Sequence, residues 1–380
     1  MSKVLVNETS LTSIADAIRE KNGTTETYKP GEMGAAIAAI ETGGGEDKVP
    51  NPLLYTGNCP NAFYYGFHDW LIENYFDRIK FEDVSDMYQT FASTKTRKIP
   101  SVKQGDSATD WTYTYYQAKM VEEIGDIENF NCKKTQYMFG FCERLRHAPN
   151  FVGTIQFSSN NAYDAFNGIF SQCKSLRSVP ENFLSNIECY STTSYYHYYS
   201  NMFSNCCVLD SINNLNVSKP NGALTTNVFD DTFYRCHRLK DLTFKTVNGK
   251  PYDASWKNQT IQLYNGVGWL TQQDSVITGY NSGITADKKV VGEATYEALK
   301  NDADWYSGMV EYSRFNHTSA VNLINSLPDT SAYIAENGGT NTVYLRNQAG
   351  EKTDGGKIGN LTEEEIAVAA AKGWTITYKT

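Results

Sequence analysis

The sequence predicts an α+β repeat solenoid, one short strand and one short helix per coil, preceded by a small N-terminal helical hairpin. Three observations predict it. First, one phrase returns four times: Met138-Phe139-x-x-Cys142-x-x-Leu145-x-x-Ala148, Ile169-Phe170-x-x-Cys173-x-x-Leu176-x-x-Val179, Met202-Phe203-x-x-Cys206-x-x-Leu209-x-x-Ile212 and Phe233-x-x-Cys236-x-x-Leu239-x-x-Leu242. Second, successive cysteines of the phrase are 31, 33 and 30 residues apart. A period in this range marks a stack of units that cannot bury their apolar faces alone. Third, residues 11–18 and 33–40 carry apolar side chains at i, i+3, i+4 and i+7, one face of a helix.

The N-terminal 42 residues are read as the hairpin. Leu11, Ile14 and Ile18 stripe its first helix, and Met33, Ile37 and Ile40 stripe the second, which Pro30 opens. Two short amphipathic helices are marginal alone and need a partner surface or further copies. The run Ser10-Leu11-Thr12-x-Ile14-Ala15-Asp16-Ala17-Ile18-Arg19-x-Lys21-x-Gly23-Thr24, followed by Met33-x-x-x-Ile37-x-x-Ile40, resembles the N-terminal module of phage tail and appendage proteins. That resemblance implies attachment to other virion proteins, or assembly of copies, a trimer being favoured.

Residues 43–50 hold Gly43-Gly44-Gly45 and read as a linker. Residues 51–86 are dense in aromatic side chains and are expected to cap the open end of the solenoid. The repeat solenoid is assigned to 87–318, with inserts between copies. Within it, Met87-Tyr88-x-x-Phe91 reads as a degenerate copy with Phe91 in the cysteine slot. Residues 244–318 are the least legible. A further coil and C-terminal cap fill 319–380: a helix over 319–327, a strand over 342–345, a helix capped by Thr362 and ended by Gly373, and a closing strand over 374–378.

The repeated phrase resembles the cysteine-containing leucine-rich repeats of BspA-like bacterial surface proteins. The long inserts between copies depart from that family. The resemblance implies a leucine-rich-repeat-like solenoid displayed outside a cell or particle. Phrases such as Asn325-Ser326-Leu327-Pro328-Asp329-Thr330-Ser331 resemble the C-terminal units of phage-encoded members.

Insertions in solenoids collect on one face, often the binding face. Two inserts are rich in aromatics: Trp111, Tyr113, Tyr115 and Tyr116 in one, Tyr195, Tyr196, Tyr198 and Tyr199 in the other. These eight residues are the expected ligand-binding set, with a host-surface glycan or protein as the ligand. The competing expectation is a plain strand with one face packed.

The chain has 34 basic and 43 acidic residues, a formal net charge of −9. Nucleic-acid binding rests on Lys and Arg and is not expected. No run of 18 apolar residues suggests membrane insertion. The eight cysteines are read as buried thiols, because four share one repeat slot. No metal-ligand spacing, nucleotide loop or catalytic triad is apparent, so no catalytic residue, metal or cofactor is assigned and the chain is not expected to be an enzyme.

No secretory leader or wall-anchor pattern appears. The expectation is therefore a bacteriophage virion appendage, tail fibre or baseplate-associated, made in the host cytoplasm and exposed on the virion exterior, on the tail rather than the capsid. A purely structural head fibre or decoration protein is the alternative, and a bacterial BspA-like surface adhesin the second.

Overall fold

The computed structural model describes residues 12, 15–20, 50–107, 109–157, 166–187, 198–217, 224–264, 312–313, 315–347, 352–353 and 360–379. The chain divides into two compact units, Met1–Leu53 and Leu54–Thr380. In the first, residues 15–20 are helical and Ala15 and Ile18 are buried. Leu11, Ile14, Met33, Ile37 and Ile40 lie outside the described residues.

The second unit is built from short parallel strands and runs of tight turns. One sheet takes the order Leu53–Asn58, Ile79–Asp86, Val102–Gln104, Ile127–Glu128, Phe151–Val152. Its register sets Phe81 beside Val102, Val102 beside Ile127, and Ile127 beside Phe151, all four buried. The helix Glu181–Asn186 follows Pro180 and lays Phe183 on Phe151, ring centroids 4.3 Å apart. Further on, Ser211–Leu215 pairs in parallel with Asp241–Phe244.

The expected helix in each copy is not there among the described copies. The residues from Met138 to Cys142, and their counterparts, form consecutive turns instead. The spacing explains this: ring, cysteine and leucine slots are three residues apart throughout, matching turns closed from i to i+3 rather than a period of 3.6. The backbone hydrogen bonds alternate in direction. Thr114, Tyr116 and Ala118 donate three residues back, to Trp111, Tyr113 and Tyr115. Tyr113, Tyr115 and Gln117 donate outward, to the carbonyls of Gln136, Met138 and Gly140 in the next segment. Every polar backbone group of such a buried segment must find a partner, and the alternation supplies one in each direction.

Among the described residues seven segments run this way, centred on Phe63, Phe91, Tyr115, Phe139, Phe170, Phe203 and Phe233. Their rings stack in one buried column, with centroids 5.1 to 6.3 Å apart and planes within 18°. A second column, four residues earlier, stacks Phe166, Tyr199 and Phe229 at 5.8 and 5.4 Å.

This register corrects three expectations. Phe91 occupies the ring slot and Thr94 the cysteine slot, three positions from the expected alignment. The supposed cap at 51–86 contains a segment of its own at Phe63. The supposed insert from Trp111 to Tyr116 is also a segment, with Tyr115 in the ring slot and Ala118 in the cysteine slot.

Three residues after each of the last four rings comes a cysteine, fully buried. Each thiol donates to the carbonyl of the ring residue one segment earlier: Cys142 to Tyr115 (3.1 Å), Cys173 to Phe139 (3.0 Å), Cys206 to Phe170 (3.1 Å), Cys236 to Phe203 (3.2 Å). Those carbonyls also accept the N–H three residues on in their own segment. Both lone pairs are used, by a small apolar side chain with a weak donor. Threonine does the same one slot before the ring, as when Thr232 donates to Tyr199 over 2.7 Å.

The C-terminal part places the strands Thr260–Gln262, Asn341–Arg346 and Trp374–Lys379 in one parallel sheet. The helices His317–Ser326, Ser331–Asn337 and Glu363–Ala371 accompany it. Thr362 caps the last helix in a capping box with Glu365, and Gly373 follows it at φ +80°. Residues 265–311, most of the least legible stretch, lie outside the described residues.

Candidate functional site

Each turn segment bends through two left-handed residues, two before and two after the ring. In chain order the pairs are Asn61 and Tyr65, Gln89 and Ser93, Tyr113 and Gln117, Tyr137 and Phe141, Gly168 and Gln172, Asn201 and Asn205, Asp231 and Arg235, all with φ between 48° and 63°. The left-handed region costs most residues with a Cβ roughly 1–2 kcal/mol, Asn and Asp, which fill four of these positions, being the tolerant exceptions. Glycine would avoid that cost, yet only one of the fourteen is glycine.

The exception has a local cause. A Cβ on Gly168 would stand 2.4 Å from Cε1 of Tyr137, so the tyrosine ring lies across the glycine of the next segment. Gly140 is crowded in the same way, 2.8 Å from Tyr137 and 3.3 Å from Tyr116.

The outer side of these turns carries a strip of partly exposed aromatic rings. Tyr88 meets Tyr113 edge-on at 6.4 Å. Tyr113 stacks on Tyr137 at 6.1 Å, and Tyr116 packs against Tyr113, Tyr137 and Phe141 at 5.0, 6.0 and 5.5 Å. Tyr64 and Tyr65 continue the strip at its start, 4.2 Å apart. A hydrogen bond with Tyr65 pushes the Tyr64 phenol above its ordinary range, helped by burial and by Tyr65 and Tyr88 nearby.

The strip is uncharged. At the positions three and two before and one and two after each ring, the first six segments hold no Asp, Glu, Lys or Arg, in a chain that is 20% charged. Ala92, Thr112, Ser171, Ser200 and Ser204 among them are buried and the rest, the glycines apart, are exposed or half-exposed. They carry Asn, Gln, Ser, Thr, Tyr, Phe, Gly, Ala and Pro instead. Charge returns only at the seventh, with Asp230, Asp231 and Arg235. Burial, then Asp230, raises the Asp231 carboxyl above its ordinary range. Along the borders, charges meet in opposite pairs: Lys119 and Lys174 with Glu143 (3.4 and 3.2 Å), and Lys134 with Asp110 (3.5 Å).

Of the eight aromatic residues expected to bind a ligand, Trp111, Tyr115, Tyr198 and Tyr199 are at most 1% exposed and belong to the core. Trp111 donates its indole N–H to Gln104 over 3.1 Å, and the Tyr199 hydroxyl donates to the Asn216 carbonyl over 3.2 Å. Packing between stacked segments claims Tyr115 on the first column and Tyr199 on the second, while Trp111, in the slot four before Tyr115, meets Phe130 edge-on at 5.4 Å. Tyr113 and Tyr116 are on the strip. Tyr195 and Tyr196 lie outside the described residues. The expected set missed Tyr64, Tyr65, Tyr88, Tyr137 and Phe141. The signal was available: each stands at a fixed offset from a ring slot, once Phe63, Phe91 and Tyr115 are recognised as ring slots.

Of the expected attachment residues, Ile18 is buried within the chain itself, so the stripe is not wholly open. Among the described residues no group of three or more His, Cys, Asp or Glu side chains is arranged to hold a metal ion. The arrangement can present aromatic edges, phenols and amides in a row. No protein-family model matches this chain, and neither a curated protein nor a solved structure is significantly similar to it.

Proposed function

We propose that this chain is a bacteriophage virion appendage whose stacked segments form a leucine-rich-repeat-like solenoid. On this reading the N-terminal module joins it to other virion proteins, and the repeat region touches a component of the host surface. The observation that carries the binding role is the strip itself: beside four Asn and Asp residues that adopt this conformation readily, nine other side chains are kept at left-handed positions where glycine would relieve the backbone. Strain held at a surface row argues for a role of the side chains displayed there. The sequence of residues 10–40 supports the virion assignment, by its resemblance to phage attachment modules.

A purely structural virion component is the second reading. It is favoured by the burial of Trp111, Tyr115, Tyr198 and Tyr199, which turns half of the expected binding residues into packing. Immunogold imaging of intact virions separates the two: label at the tail tip supports host contact, label on the capsid supports a decoration role, and no label on particles ends both.

A further inference from the structure

We infer that the strip from Tyr64 to Gln172 binds an uncharged polysaccharide, laid along the stack across successive segments. The inference rests on the host-contact reading for its biological setting, but its chemistry stands on the strip alone.

Three observations carry it. The first is charge. In a chain of net charge −9 the exposed and half-exposed flanking positions of the first six segments carry no Asp, Glu, Lys or Arg, and on the borders Lys119, Lys174 and Lys134 meet Glu143 and Asp110. Anionic polymers are repelled by the whole and find no Lys or Arg row on the strip. Cationic ligands find no carboxylate there.

The second is the donor set. Gln117, Gln172 and the phenols of Tyr113 and Tyr137 both donate and accept. That suits a ligand dense in hydroxyl groups, each of which also does both. The aromatic edges and faces supply contact for the apolar C–H surfaces of sugar rings at low entropic cost.

The third is periodicity. Across the segments at Phe91, Tyr115 and Phe139 the outer rings continue from one segment to the next, Tyr88 to Tyr113 at 6.4 Å, Tyr113 to Tyr137 at 6.1 Å and Tyr116 to Phe141 at 5.5 Å, and Gln172 continues the row with an amide. A polymer with a short, regular repeat matches such a row; a folded protein surface has no such period. Many weak contacts in line then add through effective concentration.

The test uses the full-length protein in native gels cast with dextran, mannan, a β-glucan or a galactan, and in parallel with alginate or heparin. At least one neutral polymer is expected to retard it, and neither anionic polymer. The double variant Tyr113→Gly/Tyr137→Gly is expected to lose at least tenfold in apparent affinity. Its thermal midpoint should stay close to that of the parent, because glycine relaxes both left-handed positions. A second variant, Gln117→Gly/Gln172→Gly, removes the amides without touching the rings and should also bind less. Retardation by none of the neutral polymers, equal retardation by the anionic ones, or full binding by both variants overturns the inference. If cell adsorption survives periodate but not protease, the ligand is a protein and the polysaccharide is ruled out, while the appendage reading stands. Polymer binding with no protein on virions gives the reverse result.

Discussion

The thiol of Cys173 donates a hydrogen bond to the carbonyl of Phe139 across 34 residues of chain, over 3.0 Å. The same carbonyl accepts the N–H of Cys142 at 3.1 Å. One oxygen therefore closes its own turn and ties down the next.

Cys173→Ala should cost about 1–2 kcal/mol, from a lost hydrogen bond and a small void. Cys173→Trp should cost about 1–3 kcal/mol or more by overpacking the column. Urea unfolding at neutral pH measures both. In the native protein Cys142, Cys173, Cys206 and Cys236 should resist thiol labelling; rapid reaction at all four would contradict their burial.

The same thiols predict alkaline lability. Burial pushes all four well above the ordinary value of 9.0. The unfolded chain therefore releases their protons first. Their contribution is fully present below about pH 8.5–9 and is lost as pH rises beyond it, by up to about 1.4 kcal/mol per pH unit for each thiol. Unfolding free energies between pH 7 and 11 should fall accordingly, and Cys173→Ala should shallow the slope.

Tyr115 is the one tyrosine in a column otherwise made of phenylalanine, and its hydroxyl reaches no protein hydrogen-bonding group among the described residues. Burial raises its phenol far above the ordinary range. Tyr115→Phe removes a desolvated polar atom and keeps the stack, with planes within 2° of Phe91 and Phe139. It should be neutral or stabilising by about 1 kcal/mol. A clear loss of stability would mean that the hydroxyl has a partner.

Gly168→Ala should cost about 1–2 kcal/mol from its left-handed φ alone, and more from the collision with Tyr137. Adding Tyr137→Ala should recover only the collision part. A double-mutant cycle in thermal unfolding reads the difference; strict additivity would show that the ring does not lie over the glycine.

At the C-terminal end His317 meets Glu365 at 2.8 Å, and Glu365 also accepts the Thr362 N–H. Burial alone would raise the Glu365 carboxyl, but the Thr362 backbone and His317 hold it below its ordinary value. Its contribution is present above the ordinary carboxylate range and is lost as pH falls through the lowered value. Thr362→Ala should cost about 1 kcal/mol. Glu365→Gln should reduce the acid sensitivity of the last helix, followed by amide exchange.

The C-terminal elements were legible because their signals are local: a cap at Thr362, a glycine at 373, an alternating strand at 342–345. The cysteine column was legible because four copies agree. The segments at Phe63 and Tyr115 were not, since Gly66 and Ala118 stand in their cysteine slots and Tyr replaces Phe in one ring slot. Helical structure was expected where turns occur because spacings of three and four both fit a short apolar pattern. The strip was the least visible feature. Its aromatic residues sit at offsets that mean nothing until the left-handed bends are known, and the eye goes first to the richer runs at 111–116 and 195–199, which packing largely claims.

The alternating hydrogen bonds have a mechanical consequence. Neighbouring turn segments are joined by a few parallel backbone links, and among the described residues these backbone links run only to the adjacent segment. Pulled by its two ends, such a molecule would shed its segments singly. Each release would free a length of chain of about thirty residues, on the order of 100 Å when extended. Load on the particle would then be absorbed in discrete lengthenings rather than passed to the contacts at either end.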